Sequence, residues 1–191
     1  MTIRDNILFG HPFNQEQYQE VIRICELSRD LEILPNGDFT EIGEKGINLS
    51  GGQKARVSLA RAVYSNKSIF LMDDPISALD ANVKKSIFQN VFMKKLAGKT
   101  RVLVTHAVDF LEHVDTIILM KKGQAILKGN YQDIKDNEEI QNIMTIHRSH
   151  KQHVDPQEKQ SDIEEVQENL EEVKENEEPN NSDSESDSEN Q

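Results

Sequence analysis

Cysteine occurs once in the 191-residue chain, at Cys25, so no internal disulfide can form. The residue lies among helix formers, which reads as a buried, reduced core thiol of a cytosolic chain rather than a reactive one. Long apolar runs are also missing. The longest, such as that within residues 116–120, fall far short of the ~20 residues a membrane helix needs. No cationic-then-apolar leader opens the chain, so any link to a membrane is expected to run through a partner or a missing part of the polypeptide. A surplus of basic residues is lacking too. The net charge is −12, and residues 155–191 hold 15 Asp/Glu against 2 Lys/Arg, a local −13 that leaves residues 1–154 at +1. A near-neutral body offers no broad basic face, which argues against nucleic acid as a partner.

What is present falls into three stretches. Thr2–Phe9 reads as a short helix, and Gln15–Leu27 as an amphipathic one with Tyr18, Val21, Ile22 and Cys25 at helical spacing. Pro35-Asn36-Gly37-Asp38 marks a turn. A polar stretch leads to Leu49-Ser50-Gly51-Gly52-Gln53 and a helix through Tyr64. The pattern then changes. Ile69–Met72, Arg101–Val104 and Thr116–Met120 read as short strands, with a helix over Ala81–Leu96 between the first two. Lys121-Lys122-Gly123 turns the third into Gln124–Lys128 as a hairpin. Continuous apolar strands separated by helices predict a mainly parallel α/β core buried on both faces. From about His150 the chain is rich in Glu, Ser, Asn and Gln without an aromatic residue, a composition that predicts disorder. Ile163, Val166, Leu170 and Val173 within it make at most a nascent docking helix.

Four short segments carry chemistry. Ser50 followed three residues later by Gln53 fits a capping box, and a capped helix is the plain reading. That reading does not explain two glycines in the first turn, each costing ~1 kcal/mol relative to alanine. Bare amides at a helix tip suit a phosphate. Asp73 and Asp74 end the strand Ile69–Met72, at the edge where α/β sheets bind ligands, although Asp-Asp-Pro also makes an ordinary polar turn. In a nucleotide site Asp73 would hold Mg2+ through water, and Asp74 would polarise an attacking water. Asp80 opens the next helix, where an N-cap is the simpler role. His106 follows the strand Val102–Val104, and at the same sheet edge its imidazole could donate to a γ-phosphate.

The order of these pieces resembles the ATP-binding-cassette (ABC) nucleotide-binding domain. Gly46–Ala62 looks like the signature helix, Ile69–Asp74 like the Walker B strand, Ser77–Asp80 like the D-loop, and His106 like the switch histidine. Thr2–Gly10, Glu41–Gly46 and Asp73-Asp74-Pro75 are similar to the first such domain of subfamily C, the multidrug-resistance-associated type. The resemblance covers roughly residues 1–147. It implies a P-loop NTPase (RecA-like) core with an α-helical subdomain: residues 1–66 helical with the signature, 67–149 the C-terminal part of the ATPase core, and 150–191 a disordered acidic linker.

The resemblance further implies ATP and Mg2+ as cofactors, a second nucleotide-binding domain and transmembrane domains as partners, and a place on the cytosolic face of a membrane. Leu49, Ser50, Gly51, Gly52, Gln53 and Asp80 would contact nucleotide, Asp74 and His106 would serve catalysis, and Asp73 the metal. Two departures stand out. Asp74 occupies the glutamate position of most family members, and its carboxylate is set back by roughly 1.5 Å, which slows a general base. No Gly-x-x-x-x-Gly-Lys-[Ser/Thr] occurs, and the Q-loop glutamine and adenine-stacking aromatic are absent. The chain alone is therefore expected not to hold ATP tightly, as if truncated before Met1. Competing readings are a truncated, non-hydrolysing and poorly stable fragment, a soluble ABC ATPase of translation or repair, and an acidic interaction protein. Ser161, Ser182, Ser184 and Ser186 each precede an acid by three residues, a pattern acidophilic kinases accept, although a solvated spacer is the plainer reading of the tail and ranks above it.

Overall fold

The computed structural model describes residues 1–43 and 47–152. Glu44–Gly46, the acidic tail with its serines, and the Ile163–Val173 stripe lie outside the described residues.

Three short helices come first: α1 (Ile3–Leu8), α2 (Gln15–Ile24) and α3 (Ser28–Ile33). Helix α1 starts where Thr2 and Asp5 exchange hydrogen bonds, and it stops at Phe9 and Gly10, both left-handed. Asn14 caps α2 by accepting from the Gln17 amide at 2.9 Å. The long helix α4 (Gly51–Tyr64) packs across α1 and α2. Two hydrogen bonds from Arg61 fix this crossing, to the Asn6 carbonyl at 2.6 Å and to Asn6 Oδ1 at 2.8 Å. In the same last turn of α4 the Tyr64 hydroxyl donates to the Pro12 carbonyl at 2.7 Å. Cys25 is fully enclosed, and burial pushes its thiol well above the usual range. The expectation of an inert core cysteine therefore holds.

Strand β1 (Ile69–Asp73) lies parallel to β2 (Thr100–Val104), in register from Ile69 opposite Thr100 to Asp73 opposite Val104. The connection is the predicted helix, in two parts. Helix α5 (Ala81–Ile87) continues as a π-helix over Phe88–Lys95, where the Leu96 amide reaches back five residues to the Val91 carbonyl at 2.9 Å. A 3-10 segment (Val108–His113) follows β2. Strands β3 (Ile117–Lys121) and β4 (Gln124–Gly129) then form the expected antiparallel hairpin. Lys122 and Gly123 both have positive φ in its two-residue loop, the geometry that matches strand twist. Helices α6 (Tyr131–Ile134) and α7 (Glu138–Gln152) cover one side of the hairpin through Ile134 and Ile140.

One buried cluster takes side chains from α1, α2, α4, β1, α5 and the π-helix. Phe70 and Met72 point into it from β1. The opposite sheet face does not follow the sequence expectation of strands buried on both faces. Ile69, Leu71, Val102 and Val104 are open, Leu71 at 76% exposure. Parallel strands are normally sandwiched by helices, and here the α5–π connection and α4 all serve the same inner face. An apolar face of this kind is a self-association surface. In the isolated chain, Leu71→Lys should lower static light scattering by about twofold or more at unchanged helical circular dichroism. Unchanged scattering would show that association proceeds through another surface.

Candidate functional site

The tip of helix α4 is built by local exchange. Ser50 is extended, and its Oγ accepts from the Gln53 amide at 3.2 Å. Gln53 Oε1 accepts in turn from the Ser50 amide at 3.0 Å. The predicted capping box is therefore present. Ser50 Oγ is recorded as an acceptor, so its proton remains available to an incoming acceptor. Leu49 is buried in the core and anchors the segment from below.

The two glycines have different reasons. Gly51 is exposed, and a Cβ there would meet nothing closer than Ala78 Cβ at 3.9 Å. A Cβ on Gly52 would come within 3.1 Å of the Ala78 carbonyl oxygen and 3.6 Å of Leu79 Cδ2. The approach that requires glycine at 52 is thus made by the chain's own turn before α5. Only Gly51 retains the sequence reading of a backbone bared for another molecule. Gln53 also departs from a direct nucleotide contact, because its side chain is 5% exposed and turned inward. Its Nε2 donates to Asp30 Oδ1 at 3.2 Å.

A second cluster forms at the C-terminal ends of β1 and β2. Asp73, opposite Val104, is exposed, with no side-chain partner among the described residues. Asp74 has a left-handed backbone with φ +44, a conformation aspartate tolerates better than longer side chains. Its amide donates to the Val104 carbonyl at 2.7 Å, and its carbonyl accepts from Ser77 Oγ at 3.0 Å. The Thr105 hydroxyl donates to Asp74 Oδ1 at 3.1 Å. That contact escaped the sequence, where Thr105 was only the neighbour of His106. His106 itself is exposed beside this pair. Further along the chain, Phe110 stacks on Phe88 of the π-helix with centroids 4.0 Å apart. Asp80 Oδ1 accepts from the amides of Asn82 and Val83 at 2.9 and 3.1 Å, so its carboxylate is engaged as the N-cap of α5.

The strand ends thus gather Asp73, Asp74, Thr105 and His106, and the turn leaving Asp74 reaches Ala78, which closes on Gly52. Among the described residues no group of three His, Cys, Asp or Glu side chains could hold a metal ion. An all-protein metal centre is therefore unsupported. A lone exposed carboxylate at Asp73 suits magnesium that brings phosphate oxygens and water as its other ligands.

Residues 1–77 match the family model described as ABC transporter. The chain is 55% identical over 141 residues to ATP-binding cassette sub-family C member 2 of Rattus norvegicus, covering 73% of this chain and 9% of that protein. It is 52% identical over 162 residues to the Homo sapiens protein of the same description, covering 83% of this chain and 10% of that one. With ABC transporter C family member 8 of Dictyostelium discoideum it shares 57% over 133 residues, 68% of this chain and 8% of that protein. The chain carries ABC-transporter sequence of the subfamily C type. It spans about a tenth of the length of these curated relatives. None of the helices among the described residues of this ABC-transporter chain is long and apolar enough to cross a membrane.

The contrast between the glycines is measurable. Gly51→Ala should stabilise the chain by up to ~1 kcal/mol in chemical denaturation, through helix propensity alone. Gly52→Ala should give no such gain, because its methyl must displace the Ala78 carbonyl. Equal gains at both positions would refute the assigned contact.

Proposed function

We propose that this chain works within an ATP-driven exporter, and that its helix tip grips the nucleotide held by a second nucleotide-binding domain. The observation that carries this reading is the Ser50–Gln53 capping box with exposed Gly51 at its first turn. A helix N-terminus presents unpaired N–H groups and a partial positive charge, which suit the terminal phosphate of ATP. Ser50 donates its free hydroxyl proton to the same group, and Gly51 leaves the backbone open to it. Leu49 and Gln53 set the position of the tip from the buried side.

The strand-end cluster belongs to a second, weaker site. Asp73 would hold Mg2+, which when bound neutralises phosphate charge. Asp74 orients water as general base, and His106 donates to the γ-phosphate. Two features slow this site. The aspartate side chain is short, and the Thr105 hydroxyl already occupies one of its oxygens. Asp80 supports the turn by capping α5.

In this reading residues 1–66 form the helical subdomain that passes closure to transmembrane domains, residues 67–149 belong to the ATPase core, and the acidic stretch after α7 links to the rest of the transporter and offers its serines to acidophilic kinases. The assembly lies on the cytosolic face of a membrane, and subfamily resemblance points to organic anions or their conjugates as cargo. The phosphate-cradling loop that this sequence lacks is supplied by polypeptide outside it, and the chain alone is inactive.

Two substitutions in the complete transporter test the assignment. Ser50→Arg fills the tip with a bulky cation and should lower ATP turnover by at least about tenfold. Near-normal turnover would remove the signature from the mechanism. Asp74→Glu extends the carboxylate and should raise hydrolysis at the weak site severalfold in single-turnover assays. Unchanged kinetics would exclude Asp74 as the base.

A further inference from the structure

We infer that Asp30, on α3 and remote in sequence from the signature, is a positioning residue that aims the phosphate-gripping tip of α4. The inference rests on the role proposed for Ser50 and extends it to a residue outside the motif.

Both carboxylate oxygens of Asp30 are committed to α4. Oδ2 accepts from Arg56 Nη2 at 2.6 Å and from Arg56 Nε at 3.2 Å. Oδ1 accepts from Gln53 Nε2 at 3.2 Å. Gln53 then spends the other end of its amide on the Ser50 N–H at 3.0 Å. An unbroken chain of hydrogen bonds therefore runs Arg56–Asp30–Gln53–Ser50, from α3 to the residue at the tip.

The capping box needs only Ser50 and Gln53 to begin the helix, so Asp30 is surplus to capping. What it adds is direction. A carboxylate can only accept, so Gln53 must turn its NH2 towards Asp30 and its oxygen towards Ser50. That choice fixes the rotamer of Gln53 and the position of Ser50 with it. The charge is matched as well. A lone carboxylate beside a helix tip would repel an incoming phosphate, and Arg56 offsets it through two N–H donors on the same oxygen. Within helix α3 no residue is fully buried, Leu31 packs on the core from a partly buried position, and Asp30 is its hydrogen-bonded tie to α4. Movement of α3 would reach the tip through this tie.

The test uses the complete transporter that carries this sequence. Asp30→Asn keeps the size of the side chain but removes the charge and the acceptor-only character. It should lower kcat for ATP about tenfold with KM for ATP within twofold, because the tip acts on nucleotide already held by the partner domain. Gln53→Glu alone sets two carboxylates against each other and should be at least as damaging. Combining Asp30→Asn with Gln53→Glu restores an NH2 donor facing an acceptor and should recover at least half of the lost kcat. Activities are scaled to folded transporter, and Ser50→Arg is measured alongside. If Asp30→Asn keeps kcat, raises only KM, or loses activity only in step with folded protein, while Ser50→Arg abolishes turnover, Asp30 has no positioning role and the signature assignment stands. Failure of the double variant to recover kcat would likewise overturn the relay. If Ser50→Arg also retains turnover, the signature assignment itself fails.

Discussion

The nucleotide contact proposed for this chain depends on how helix α4 begins. The exchange between Ser50 and Gln53 satisfies amides that would otherwise be orphaned and leaves the first turn pointing outward with Gly51 uncovered. Around that start the molecule closes from two sides. The turn before α5 seals against Gly52, and Asp30 on α3 holds Gln53. The tip is thereby a rigid object carried on α4, whose far end is pinned to α1 and α2 by Arg61 and Tyr64. A phosphate contact made by a pre-set tip loses less ordering entropy than one made by a loop.

The strand-end cluster is organised differently. It uses the register of β1 and β2, which sets Asp73 opposite Val104, to bring Asp74 against Thr105, the residue before His106. Asp74 tolerates its left-handed backbone because hydrogen bonds hold its amide, carbonyl and carboxylate. Unusual backbone held by many contacts is common at functional positions, and here the same contacts tie up the carboxylate. Residues 75–79 join the strand end to the tip, as the short path between Asp74 and the Ala78 carbonyl that lies against Gly52.

Local features were legible in the sequence. The capping box is a spacing of three, the hairpin loop is a Lys-Gly pair between alternating strands, and the acids follow an apolar run directly. The family was also readable, because signature, Walker B strand, D-loop and histidine follow one another in family order. Contacts between distant residues were not legible. Asp30 is separated from Gln53 by 23 residues, and no periodicity links them. The neighbour that demands glycine at 52 lies beyond the end of α4, and sequence alone cannot tell it from a ligand. Nor could an apolar run such as Ile69–Met72 reveal that only one of its faces is covered, since composition records what a strand could bury and not what is there to bury it. The switch from α- to π-helix at Phe88 left no mark in the amphipathic pattern, yet it supplies the ring on which Phe110 stacks.

The account is tested most directly by asking what the Ser50 tip touches when nucleotide is bound. A cysteine at position 50 in the complete transporter, paired with one beside the phosphate-binding loop of the other nucleotide-binding domain, reports that distance by oxidative crosslinking. ATP should drive a crosslink that is absent without nucleotide. A tip that stays uncrosslinked while ATP is demonstrably bound at the opposite domain would contradict the account.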